Sequence, residues 1–216
     1  MTYLQAINKV LRRLREDEVT SPDTSAYSKL IGEFINDANR LVEDAWDWSM
    51  LRTITPVSGI TDSSTIMSVT GLTEADKILS VYNITDNVEV QLGSQRGLYN
   101  SVYIEQAPRG RPDNYVTLGQ DSSGNTQVQF YPNSDGSRVV LFNYVGRTPE
   151  LTSGTDVVKA PSTPVVQLAH AMAAEERGET GGTTAGKLYA VAQSSLSDAI
   201  ALDAGRFPTE TVWYDV

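Results

Sequence analysis

The chain has 216 residues, 27 of them Asp or Glu and 17 Lys or Arg, with one histidine and no cysteine. The missing cysteine excludes a disulfide framework and a thiolate metal site, and it fits a reducing compartment. A net charge of −10 argues against a module that grips DNA, because such binding neutralises phosphates with Lys and Arg; it fits both plain solubility and a surface past which DNA slides.

The chain is long enough for one well-buried core or two small lobes. No run approaches the roughly 20 apolar residues that span a bilayer. Met1-Thr2-Tyr3-Leu4 leads directly into a polar amphipathic segment, so neither a membrane span nor a secretory signal is expected. Thr2 and Gln5 have capping-box spacing. Leu4, Ile7, Val10, Leu11 and Leu14 then share one face, predicting a first helix. The acidic run Glu16-Asp17-Glu18 and the turn Thr20-Ser21-Pro22-Asp23 end it, with Asp23 expected to cap a second helix. That helix is predicted from Ser25 to Trp48, about 36 Å at ~1.5 Å per residue. Tyr27, Leu30, Ile31, Phe34, Ile35, Ala38, Leu41, Val42, Ala45 and Trp46 recur along one side of it, which calls for packing along another helix.

After Trp48 the period changes. Residues 51–158 read as short strands broken by Gly, Pro, Asn and Asp, among them Ile78–Tyr82, Val88–Leu92, Tyr115–Leu118, Val128–Tyr131 and Val139–Tyr144. Gly119–Gly124 and Asn133–Gly136 read as hairpin turns, and the span as a small antiparallel sheet or sandwich. A helical period returns near Pro161, with Ser162 or Thr163 as cap and Pro164 at the first helical position. Gly178–Gly186 reads as a loop, and a last helix carries Leu188, Tyr189, Ala192, Leu196, Ala199 and Ile200 and ends at Gly205. The expected fold is α+β: a helical lobe from 1–50 and 159–205, a β lobe from 51–158, and an extended tail from 206–216. No internal repeat is present at a fixed period.

Little in the sequence points to catalysis. His170 is the only histidine, whereas triads and zinc sites draw on more partners than it has; a packed helical histidine is expected. Glu175-Glu176 and Glu43-Asp44-Asp47 could pair as acid and base, but adjacent helical carboxylates more often form a solvated face. Gly178–Gly182 lacks the lysine and spacing of a phosphate loop. Arg109 and Arg111 flank Gly110 in a basic turn with too few cations for a nucleic-acid patch, so they are candidates for a protein interface. Trp46 and Trp48 read as core anchors. The tail carries Phe207, Trp213 and Tyr214, more aromatic surface than eleven residues can bury alone. It therefore docks elsewhere, either on its own chain or, as expected here, on another subunit. No catalytic residue, metal or cofactor is expected.

The ordered set of motifs resembles a family. It comprises Phe34-Ile35-Asn36-Asp37-Ala38, Trp46-x-Trp48-Ser49-x-Leu51-Arg52, Gly110-Arg111-Pro112-Asp113-Asn114-Tyr115, Phe130-Tyr131-Pro132, Val140-x-Phe142-x-Tyr144, Thr148-Pro149-Glu150-Leu151-Thr152, the helix start at Pro161–Pro164, and Leu188-Tyr189. Together these are similar to the head-to-tail adaptors of short-tailed phages, the tail tubular protein A or gatekeeper proteins. The resemblance implies a ring of about twelve copies between a portal protein and a tail nozzle protein. Genomic DNA would pass through its channel without specific binding, and assembly would take place in the bacterial cytoplasm. Two alternatives remain at this stage: a head- or tail-completion ring protein of a long-tailed phage, and a cell-wall glycan hydrolase.

Overall fold

The computed structural model describes residues 1–60, 66–106, 108–178 and 183–206. The fold is α+β and divides into two compact units. One comprises Met1–Leu51 and the chain from Arg147 onward; the other is Arg52–Gly146.

In the first unit, α1 (Tyr3–Arg13) starts at a reciprocal capping box between Thr2 and Gln5 and buries Tyr3, Ala6, Ile7, Val10 and Leu11. Helix α2 (Ala26–Asp44) is capped by Ser25, not Asp23. The Ser25 hydroxyl accepts from the Ser28 N–H at 2.9 Å, and Ser28 Oγ reaches back to the Ser25 N–H and the Pro22 carbonyl. The two helices meet closely at Gly32, where a Cβ would collide with the Tyr3 hydroxyl.

α2 stops at Asp44 rather than Trp48. The Trp48 ring is fully buried, and its Nε1–H donates 2.7 Å to the Val42 carbonyl. It thereby satisfies one of the carbonyls that a helix end leaves without an intrahelical partner. A 3₁₀ turn, Ser49–Leu51, follows.

Helix α4 (Ser162–Glu176) begins after Pro161, so Pro164 is its third residue rather than its first. The position is tolerated because N–H groups of a first turn have no intrahelical acceptor. α4 packs against α1, α2 and the last helix. α5 (Thr183–Arg206) starts earlier than expected, running through Gly186, and includes Gly205.

Residues 147–158, expected with the strands, are held by the helices. The Asn36 side chain, more than 90% buried, donates to the Leu151 carbonyl and accepts from its N–H at 3.0 and 3.1 Å. The Tyr3 N–H donates to Asp156 O, and the Val158 N–H to Met1 O.

The second unit is a β sandwich. Its strands are β1 (Arg52–Ile60), β2 (Met67–Ser68), β3 (Lys77–Asn83), β4 (Val88–Glu89), β5 (Gln91–Leu92), β6 (Asn114–Gln120), β7 (Thr126–Tyr131) and β8 (Arg138–Val145). One sheet has the order β1-β8-β3-β4 and the other β2-β7-β6-β5; all pairs are antiparallel except β5 with β6. Alternate residues point inward, as a half-buried strand requires. Val140, Phe142 and Tyr144 of one sheet meet Tyr115, Val128 and Phe130 of the other. Phe142 lies edge-on to Tyr115 and Phe130, with centroids 5.9 and 6.3 Å apart.

The expected single strand Val88–Leu92 is two. The chain leaves the first sheet after Glu89 and enters the second at Gln91, with Val90 buried at the corner. The Val90 N–H still bonds Val81 O at 2.8 Å, while the Gln91 N–H bonds Asp113 O at 2.8 Å. Between β5 and β6 the chain makes a helical excursion, α3 (Gln95–Tyr99) running into a π-helical turn, Asn100–Ile104.

Candidate functional site

Members of both carboxylate clusters take partners within the fold. Glu43 is buried; it accepts from Asn39 Nδ2 at 2.9 Å, from the Thr148 N–H at 3.2 Å and from the Thr148 hydroxyl. Asp44 pairs with Arg147. Glu175 accepts from the Tyr189 hydroxyl at 2.6 Å. Burial, and then this bond to an anion, push the Tyr189 phenol up to about 12. Arg177 spans from Glu16 to the Tyr27 ring, whose centroid lies 4.6 Å from its guanidinium carbon.

Asp203, in the last turn of α5, is also buried. It accepts from Trp46 Nε1 at 3.2 Å, the Ser49 N–H at 3.0 Å and Ser49 Oγ at 2.5 Å. Burial raises this carboxyl, and the bonds from Ser49 and Trp46 outweigh that effect and hold it below the usual range.

His170 lies half-buried on α4, beside a hollow that it lines with Arg13, Gln167, Leu188 and Val191. Burial, then the Arg13 charge, lower its pKa. In the β unit, Glu74 and Asp76 border a hollow of about 320 Å³. Asp76 is engaged there in closing a turn, taking the Thr73 N–H at 2.6 Å and its hydroxyl at 3.0 Å. Among the described residues no group of three His, Cys, Asp or Glu could hold a metal ion, and no helix is long and apolar enough to cross a membrane.

What stands open is surface. On the outer face of the first sheet, Pro56, Leu141 and Tyr82 lie in direct register across β1, β8 and β3, and Ile54 is largely exposed beside them. In the helical unit a groove of about 250 Å³, lined by Leu41, Val42, Pro164, Leu168, Ala192 and Leu196, lies among α2, α4 and α5. The excursion between β5 and β6 exposes Tyr99, Tyr103 and Ile104, the two tyrosine rings 5.8 Å apart.

A family model described as SU10 adaptor protein matches residues 1–211. The chain belongs to this family of phage head–tail adaptors. It is thus a virion component from a family of structural proteins. No curated protein matches the chain.

Of the interface residues expected from sequence in this adaptor, the structure describes two. Arg109 and Arg111 are exposed on either side of Gly110, which bridges to Ser134. Asp86 lies close enough to Arg111 for its carboxyl to feel that charge, after the larger effect of the Arg138 hydrogen bond. Phe207, Trp213 and Tyr214 lie outside the described residues. The sequence reading missed the Tyr99–Ile104 surface. Its only signal was a pair of tyrosines four residues apart, with Ile104 next to the second.

Proposed function

We propose that this adaptor is a structural ring subunit of a short-tailed phage, with about twelve copies joined by one repeated heterologous contact. The ring sits between the portal and the tail nozzle, and the genome passes through its channel without specific binding. The observation that carries this reading is the family match along residues 1–211. Three features support it. Carboxylates that could have served chemistry are engaged in packing, such as Glu43 and Asp203. Open apolar surface is available on both units. The excess of 27 acidic over 17 basic residues suits a channel wall that like-charged DNA does not adhere to.

In this reading no residue is catalytic and no cofactor is held. Arg109 and Arg111 contact neighbouring subunits, and Phe207, Trp213 and Tyr214 anchor the tail on another subunit. Negative-stain imaging of the protein mixed with its portal tests the proposal. A ring seated on the portal is expected. A protein that stays monomeric and digests peptidoglycan, with activity abolished by changing one Asp or Glu, overturns it.

A further inference from the structure

Between β5 and β6 the surface reverses the character of the rest of the chain. Residues 92–111 hold Arg96, Arg109 and Arg111 against a single carboxylate, Glu105, and Glu105 accepts from Asn100 Nδ2 at 2.7 Å. The same stretch exposes large apolar side chains. Leu92 is 67% exposed, Tyr99 52%, Tyr103 59% and Ile104 74%, the last being the most exposed large hydrophobic among the described residues. Arg96, Tyr99 and Tyr103 follow one another at three- and four-residue spacing along α3 and the turn after it. The base is fixed by close packing: Gly93 and Gly97 lie against the Tyr131 ring, where a Cβ at either would collide. Aromatic residues and arginine together are the composition enriched where protein interfaces bind most strongly.

The helical unit offers the complement. Its sequence holds 18 acidic against 11 basic residues. On α2, Glu33, Asp37 and Leu41 are all exposed and recur every fourth residue, so they form one stripe. Glu33 and Asp37 repel each other one turn apart, and a docked cation removes that repulsion. Leu41 borders the groove of about 250 Å³, which is smaller than the roughly 300–1,000 Å³ of small-molecule sites and suited to one large side chain.

We infer that the surface of Arg96, Tyr99, Tyr103, Ile104 and Arg111 of one copy docks on the Glu33–Asp37–Leu41 stripe of α2 in a second copy. This contact rests on the proposed ring and names the surfaces that close it. The arginines meet the two carboxylates, and an aromatic or Ile104 side chain enters the groove beside Leu41. The two surfaces differ, so the contact is heterologous and repeats around a ring.

The test is a charge exchange between two full-length variants. One carries Arg96→Glu with Arg111→Glu, the other Glu33→Lys with Asp37→Lys. All four sites are exposed, and melting curves check that both variants fold. Assembly state is read by mass photometry, alone and with the portal. Each variant by itself is expected to lose assembly by roughly 100-fold or more, the scale of like charges facing each other in an interface. An equimolar mixture is expected to recover it, because alternating copies restore opposite charges at every contact. Tyr103→Ser with Ile104→Ser is expected to weaken assembly by a factor that does not change with salt, because it leaves the charge pairs in place. Variants that form rings as the wild type does overturn the contact and leave the ring standing. So do variants that form rings but fail on the portal, which would assign this surface to the portal. A mixture that does not recover also overturns the contact. A wild-type chain that stays monomeric alone and with the portal overturns the ring and the contact with it.

Discussion

Replacing Asp203 by Ala removes the acceptor that ties the end of α5 to the turn after α2. The carboxylate is only 5% exposed and accepts three hydrogen bonds, two from Ser49 and one from Trp46. Hydrogen bonds to a charged group contribute about 1.5–3 kcal/mol each. The three share one carboxylate and do not add. The Trp46 ring is 39% exposed, so water can take over its N–H. The Ser49 N–H, at the start of the 3₁₀ turn, bears the larger loss. A total of about 2–4 kcal/mol follows, which is a fall in Tm of roughly 5–15 °C for a chain of this length.

Asp203→Asn keeps one acceptor but turns an amide toward a donor, and about half of that loss is expected. The sign with pH is fixed by the lowered carboxyl pKa. The stabilisation is fully present above the unfolded carboxyl value of about 3.9 and is lost as pH falls through the folded one. The gap between wild type and Asp203→Asn therefore narrows on acidification. Thermal and urea unfolding of the full chain, followed by tryptophan fluorescence, measure both effects. Melting of Asp203→Ala within about 1 °C of wild type would refute the account of this buried carboxylate.

Three further outcomes are expected. Gly93→Ala places a Cβ 2.7 Å from Tyr131 Cζ and 2.8 Å from Cε1, so it should cost about 1–3 kcal/mol; Gly110→Ala, with nothing within 4 Å of its new Cβ, should leave the urea midpoint unchanged. His170 has a lowered folded pKa, so below about pH 6.5 the unfolded chain takes up the proton more readily and stability falls; His170→Gln should flatten the dependence of the urea midpoint between pH 7 and 5, measured at about pH 0.5 intervals. Truncation after Gly205 should leave the Tm near normal while impairing joining to the portal, and truncated protein that attaches normally to filled heads removes the tail from the mechanism.

The sequence revealed most where one face of an element is buried. The Leu4–Leu14 and Tyr27–Val42 periods became α1 and α2, and the alternation through Val140, Phe142 and Tyr144 became the inward face of β8. It misled where a side chain far along the chain, or a backbone corner, decides. Trp48 continues the helical pattern of α2, yet its indole turns back to the Val42 carbonyl and ends the helix early. Val88–Leu92 alternates as one strand, yet Val90 is the corner between two sheets. The excursion from Gln95 to Ile104 buries only Leu98, so it has no apolar period from which a helix could be read.

The same physics limits what could be read of the site. Glu43 and Asp44 are neighbours in sequence and invite a catalytic reading, but their partners Thr148 and Arg147 come from more than a hundred residues away. An adaptor works through surfaces, and a surface side chain is under no periodic constraint from its own core. Only exposure in the folded chain separates Tyr103, at 59%, from Tyr115, at 5%, although both are tyrosines in strand-and-turn sequence. Tyr115 holds the two sheets together against Phe142. Tyr103 contributes nothing comparable to a core and stands beside Ile104, whose side chain is more exposed still. Keeping two such side chains in water forgoes about 1.5–3 kcal/mol each relative to burial. That energy becomes available when another surface covers them, and the arginine at position 96 and the acidic stripe on α2 set which surface that is.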